Sequence, residues 1–139
     1  MINAYNIFYP IKIYIGIGET TEQFDETSIT ATSSDFIQEN IRKRDELSGF
    51  TAIVNIHNEE ENLNTGVYIH IHKDILEPEN IDLYNSTIVH EAYHACNIIY
   101  KHIEATPDVD NDEPFAYLLS YVYRCCLDTI NQYKKLCNQ

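Results

Sequence analysis

Within the stretch STIVHEAYHACNIIY (86–100), the run His90-Glu91-Ala92-Tyr93-His94 sets two imidazoles four residues apart, with a carboxylate directly after the first. On a helix, positions i and i+4 project from one face a turn apart, close enough for two imidazoles to grip one ion. Glu91 lies about 100° further round the helix. From there it reaches a metal-bound water and not the metal, which is the role of a general base. HExxH is therefore the spacing of a zinc site; the alternative is two surface histidines on a helix. Ile88, Ala92, Ala95, Ile99 and Ile103 recur at helical spacing from about Ser86, Val89, Tyr93 and Cys96 widen the apolar arc, and Asn97 and Lys101 continue a polar stripe.

A catalytic zinc takes three protein ligands and keeps one position open. Glu113, at the start of a second expected helix running from about Pro114 to Lys135, is the candidate third ligand. Pro in a first turn costs no hydrogen bond. Glu113, Tyr117, Ser120 and Arg124 form the polar stripe of that helix, opposite Phe115, Leu118, Leu119, Val122 and Cys126, and small Ala116 permits close helix approach. Asp112 and Glu113 are neighbours and either could reach the ion; helical phase favours Glu113, with Asp112 as the helix cap. Glu113 also reads as a simple helix-dipole carboxylate. Tyr117 is the tyrosine best placed to donate to an oxyanion.

Other chemistry-bearing residues carry less. His70 and His72 share one face of a strand and His57 lies on the strand opposite; they suit a substrate cleft, a second metal or polar positions on a solvent face. Asp108, Asp110 and Asp112 imitate the opening of a calcium loop, but Glu113 stands where that loop needs Gly and Leu119 where it needs Glu. GIGETT (16–21) lacks the third glycine of a dinucleotide fingerprint.

The elements that must hold these residues are strands followed by helices. IFYPIKIYIGIG (7–18) alternates with Ile11, Ile13, Ile15 and Ile17 on one face and reads as a strand. The stretch 19–34 reads as loop with a short strand near Ile29, and 35–47 as a short helix. GFTAIVNIH (49–57) and GVYIHIH (66–72), joined by a polar loop, read as an antiparallel hairpin. Strands first and two helices after give an α+β domain spanning 1–139.

Composition limits the partners. A formal charge of −13 opposes nucleic-acid binding, and the clusters Arg42-Lys43-Arg44 and Lys134-Lys135 are diluted by their neighbours. No apolar run is long enough for a bilayer, and the N-terminal stretch has neither a basic region nor a small-residue cleavage site, so no signal peptide is expected. The four cysteines, Cys96, Cys125, Cys126 and Cys137, fall on helical segments without a CxxC spacing and read as reduced thiols; a Cys96–Cys125 bridge is the alternative.

HEAYHA followed nineteen residues after its second histidine by EPFAYLLSY resembles the gluzincins, zinc peptidases with HExxH on one helix and a Glu on the next. Over residues 50–127 it is similar to small bacteriophage proteins described as metallopeptidases. The resemblance implies a minimal zincin-like α+β domain, a small mostly antiparallel sheet packed on the HExxH helix and the Glu-bearing helix. It implies Zn2+ held by His90, His94 and Glu113, Glu91 as general base, and hydrolysis of peptide bonds. It implies a viral protein acting on a peptide or protein substrate in the host bacterial cytoplasm, or one meeting other proteins of the virion. The rival reading is a zinc-binding structural or interaction protein of the virion with little or no turnover.

Overall fold

The isoleucine alternation is built into a sheet, but as part of a hairpin. In the computed structural model, which describes residues 1–8, 11–18, 29–31, 39, 48–57 and 63–139, β1 (Ile2–Phe8) pairs antiparallel with β2 (Ile11–Ile17). The single strand expected over 7–18 is therefore divided between two; Tyr5 and Ile7 of β1 face the same core as Ile11 to Ile17 of β2, so the alternation carries no mark of the boundary. β3 (Ile29–Ala31) fits the short strand expected near Ile29. The helix expected at 35–47 and the basic cluster Arg42-Lys43-Arg44 lie, but for Glu39, outside the described residues.

β4 (Gly49–His57) and β5 (Leu63–Ile71) form the expected antiparallel hairpin. The sheet runs β1-β2-β5-β4-β3, and it is mixed because β2 and β5 are parallel. A parallel pair needs a crossover; here the chain returns through β3 and β4. Two 3₁₀ turns, Lys73–Leu76 and Pro78–Asn80, lead into α1 (Ile81–His102). α1 starts a turn before Ser86, because Tyr84 extends the buried stripe one step back from Ile88. α2 (Glu113–Cys137) follows with Pro114 in its first turn.

Both helices cover one face of the sheet. Ile11, Ile13, Ile15 and Ile17 of β2 and Val67, Ile69 and Ile71 of β5 share a core with Ile88, Ala92, Ala95 and Ile99 of α1 and Leu118, Val122, Cys126 and Ile130 of α2. Each fully buried isoleucine is worth roughly 1.5–3 kcal/mol against exposure. α1 packs over β4 and β5, and α2 over β2 and β1. On β1, the Tyr5 hydroxyl donates to Asp128 Oδ2 at 2.7 Å, and the Tyr121 hydroxyl of α2 donates to the Asn6 carbonyl at 2.6 Å. Phe115 packs near Tyr100, and Lys134 lies over the Tyr84 ring, so the helices run antiparallel. On the opposite face Phe50, Val54 and Tyr68 are buried, with Ile2, Tyr14 and Ala52 packed against them.

Candidate functional site

His90 and His94 are brought together as the helical spacing requires. Both are exposed on α1, their rings meeting edge to face with centroids 4.6 Å apart and Nε2 atoms 3.0 Å apart. One Nε2–H donates to the lone pair of the other. Two nitrogens each about 2.0–2.1 Å from a tetrahedral ion lie roughly 3.3 Å apart. The pair therefore matches two coordination positions with little adjustment.

Glu91, one position on, turns inward and is only 6% exposed. Its carboxylate is held from the sheet: Thr51 Oγ1 on β4 donates to Glu91 Oε2 at 2.6 Å and also lies 3.2 Å from the Glu91 carbonyl oxygen. Gly49, two residues earlier on the same face of β4, makes room. A Cβ there would lie 2.6 Å from the His70 carbonyl oxygen, 3.2 Å from Thr87 Cγ2 and 3.4 Å from Glu91 Cγ. Between helix and strand opens a cleft of about 300 Å³ lined by Ser48, Gly49, Leu83, Ser86, Thr87, His90 and Glu91. Thr87 donates to Ser48 across it at 2.7 Å. One cleft thus presents an imidazole that can bind a metal and a carboxylate that can take a proton. Sequence reasoning missed Thr51 and Gly49, since nothing in a strand's own pattern says which helix residue will lie over it.

Glu113 stands elsewhere. The polar stripe Glu113, Tyr117, Ser120 and Arg124 is exposed along α2, turned to solvent. Phe115 packs against both Tyr93 and Tyr100, with ring centroids 5.5 and 5.0 Å away. Counting back along the antiparallel helix, Glu113 is level with about residue 99, roughly 7 Å beyond His94 along the axis. Among the described residues no group of three His, Cys, Asp or Glu side chains is placed to share an ion. Tyr117 is also exposed, over a hollow formed with Asn6, Ile7, Pro114, Leu118 and Tyr121 on the β1 side of α2. The Glu91 cleft lies against β4, with β2 and β5 between. The structure therefore does not bring Tyr117 to the cleft.

Three further expectations are corrected. Asp112 occupies the N-cap position but in αR backbone, and its side chain makes no capping bond; a cap needs extended backbone for its oxygen to reach back. Val89 and Tyr93 are 50% and 51% exposed, outside the buried arc, because the sheet and α2 meet α1 from the two sides that Ile88, Ala92, Ala95 and Ile99 already fill. His70 and His72 are not on a solvent face: they are 0% and 4% exposed.

That second histidine pair sits on the sheet face away from the helices. His70 stacks on Phe50 with centroids 5.0 Å apart, meets His72 edge to face at 4.8 Å, and shares a 2.8 Å hydrogen bond between Nδ1 and the Tyr68 hydroxyl. Its Nε2 is buried and has no hydrogen-bond partner among the described residues. Burial, then repulsion from His72 and the chain's amino group, pushes the His70 imidazole down to about 3, so it is neutral. The same burial pushes the Tyr68 hydroxyl far up. His57 ends β4 opposite Leu63, at the other end of the hairpin from the Phe50–His70 pairing. The cysteines are free. Cys96, Cys125 and Cys126 are buried, and burial pushes the Cys96 thiol up to about 12, which makes it a packing group and not a thiolate ligand.

No protein-family model, curated protein or solved structure matches the chain. Among the described residues no helix is long and apolar enough to cross a membrane.

Proposed function

We propose that the chain is a zinc-dependent peptide-bond hydrolase in which His90 and His94 hold the ion and Glu91 is the general base. The observation that carries this is the shared cleft: His90 and Glu91 line it together, and His94 Nε2 lies 3.0 Å from His90 Nε2. A zinc ion bound there would supply Lewis acidity toward a carbonyl oxygen and a water of lowered pKa. Glu91 takes the proton of the attacking water and passes it to the leaving amine, two tasks for one carboxylate. Glu113 is the proposed third ligand on the strength of the motif resemblance alone; in the structure it stands apart from the pair, turned to solvent. A minimal zincin-like domain and a bacteriophage origin, with action in the host cytoplasm or the virion, belong to the same proposal and rest on the motif resemblance.

The test has two stages. Wild type should purify with about one zinc per chain and His94→Ala with none, since a metal held by two imidazoles is lost with either. The zinc-loaded protein is then screened against a peptide library. Wild type and His94→Ala equally empty of metal would end the zinc reading.

A second reading, a zinc-binding structural or interaction protein of a virion with little turnover, is favoured by one specific feature. Leu83, Val89 and Tyr93 stand about half exposed beside the histidines, an apolar flank suited to another protein, while Tyr117 and Glu113 lie away from the cleft. A zinc-loaded wild type that cuts no peptide, together with a full complement of copies in purified particles, would favour it.

A further inference from the structure

We infer that Thr51 is the positioning residue of Glu91: a strand hydroxyl that fixes the carboxylate of the general base so that its free oxygen faces the cleft. The inference rests on the hydrolase reading above and adds a residue that the motif does not contain.

A carboxylate has two oxygens, and here they are distinguished. Oε2 accepts the Thr51 hydroxyl at 2.6 Å, a short bond of the charge-assisted kind. The Glu91 carbonyl oxygen, 3.2 Å from Thr51 Oγ1, competes weakly, because one hydroxyl hydrogen makes one strong bond. Oε1 is left for the cleft that Glu91 shares with His90. Thr51 and Gly49 lie two apart on β4 and so face the same side. Gly49 faces the Glu91 stem at contact distance, its would-be Cβ 3.4 Å from Glu91 Cγ. The strand thus flanks the stem at Gly49 and holds its end at Thr51. A free Glu samples many rotamers, and a general base works only from the orientation that meets its proton. Since the bond comes from the sheet, it also ties the base to a rigid element and not to a loop.

The role differs from packing. Thr51→Val keeps the shape of the side chain and deletes the donor, so a contribution from shape alone would survive it. Thr51→Ser keeps the donor and loses a methyl group.

The experiment uses the full zinc-loaded chain and a peptide that wild type cleaves, with kcat, KM, zinc content and melting temperature measured for wild type, Thr51→Val and Thr51→Ser. Thr51→Val should keep its zinc and lose roughly 10- to 100-fold in kcat, the usual cost of losing a group that orients a site residue. KM should stay within about twofold, because the lost interaction serves the proton transfer and not substrate binding. Thr51→Ser should recover most of the loss. A crystal structure of zinc-free Thr51→Val should show the Glu91 carboxylate swung from the strand into the cleft, a readout independent of activity. Thr51→Ala takes the place of Thr51→Val if the latter folds poorly. A Thr51→Val enzyme as fast as wild type or faster, a change confined to KM, or an unmoved Glu91 would overturn the role while leaving the hydrolase reading intact. A zinc-loaded wild type that cleaves nothing would bring down both.

Discussion

His90 and His94 stand exposed a turn apart on α1, while His70 and His72 are buried on the far face of the sheet, His70 stacked on Phe50 and His72 set against His70. Both pairs come from one residue type at short spacing, yet they are opposite kinds of chemistry. On the helix the ring nitrogens face each other in the open, 3.0 Å apart and beside a carboxylate. On the strand, His70 has one nitrogen tied to Tyr68, and burial holds the ring neutral. Spacing decides which side chains can meet; the layer above them decides whether they meet an ion, a substrate or each other. The first pair is built for exchange with solvent and the second for permanence.

The largest effect that could break this contrast is catalytic. Glu91→Gln should keep zinc and fold while losing turnover by roughly 10²–10⁴-fold, since only proton transfer is removed. Kinetics on a cleavable peptide with metal analysis alongside decide it, and a fully active Glu91→Gln would leave the exposed pair without its chemistry. Next comes the strand between the two pairs. Gly49→Ala sets a methyl group 2.6 Å from the His70 carbonyl oxygen and 3.2 Å from Thr87 Cγ2, so it should cost about 1–3 kcal/mol, chiefly by pushing the start of β4 off the backbone of β5. Chemical denaturation measures it, and an unchanged midpoint would mean the start of β4 moves off β5 more freely than the distances require.

The buried pair should show itself through pH. The folded pKa of His70 lies near 3, well below that of an unfolded histidine. Between about 6.5 and 3 the unfolded chain takes up a proton that the folded one refuses, so stability is complete above that window and falls as pH drops through it. The slope from this one group is up to about 1.4 kcal/mol per pH unit. Replacing both partners, His70→Phe with Tyr68→Phe, should flatten that part of the curve at little cost at pH 7, whereas Tyr68→Phe alone strands a buried nitrogen and should cost about 1–3 kcal/mol. Denaturation curves at several pH values read all three. Neither variant should change zinc content, which sharpens the separation of the pairs. The smallest effect is at the exposed end of α2. Asp112→Ala should change stability by no more than about 0.5 kcal/mol, because no capping bond is there to lose. A loss of 1 kcal/mol or more would restore Asp112 as the cap.

The helical pair, the hairpin 49–57 with its partner strand, the isoleucine face of β2 and both helices were legible in the sequence, since each is a local periodicity. The 3.6-residue repeat around His90 and the two-residue repeat of Ile11 to Ile17 need no knowledge of what packs on them. The α+β order of elements follows from the same repeats. The early start of α1 at Ile81 and the division of 7–18 between two strands were not legible, because pairing and a single buried Tyr84 set those boundaries.

What the tertiary structure alone decided is who stands beside whom. The alternation of β5 marks Tyr68, His70 and His72 as one face but carries no sign that this face is buried. Helical phase puts Glu113 on a polar stripe, yet whether that stripe faces α1 or water depends on how α2 lies on β1 and β2, and it faces water. Thr51 reaches Glu91 across forty residues of sequence, a contact that no periodicity encodes. Local repeats are set by backbone geometry within one element, and contacts between elements by the packing of all of them together.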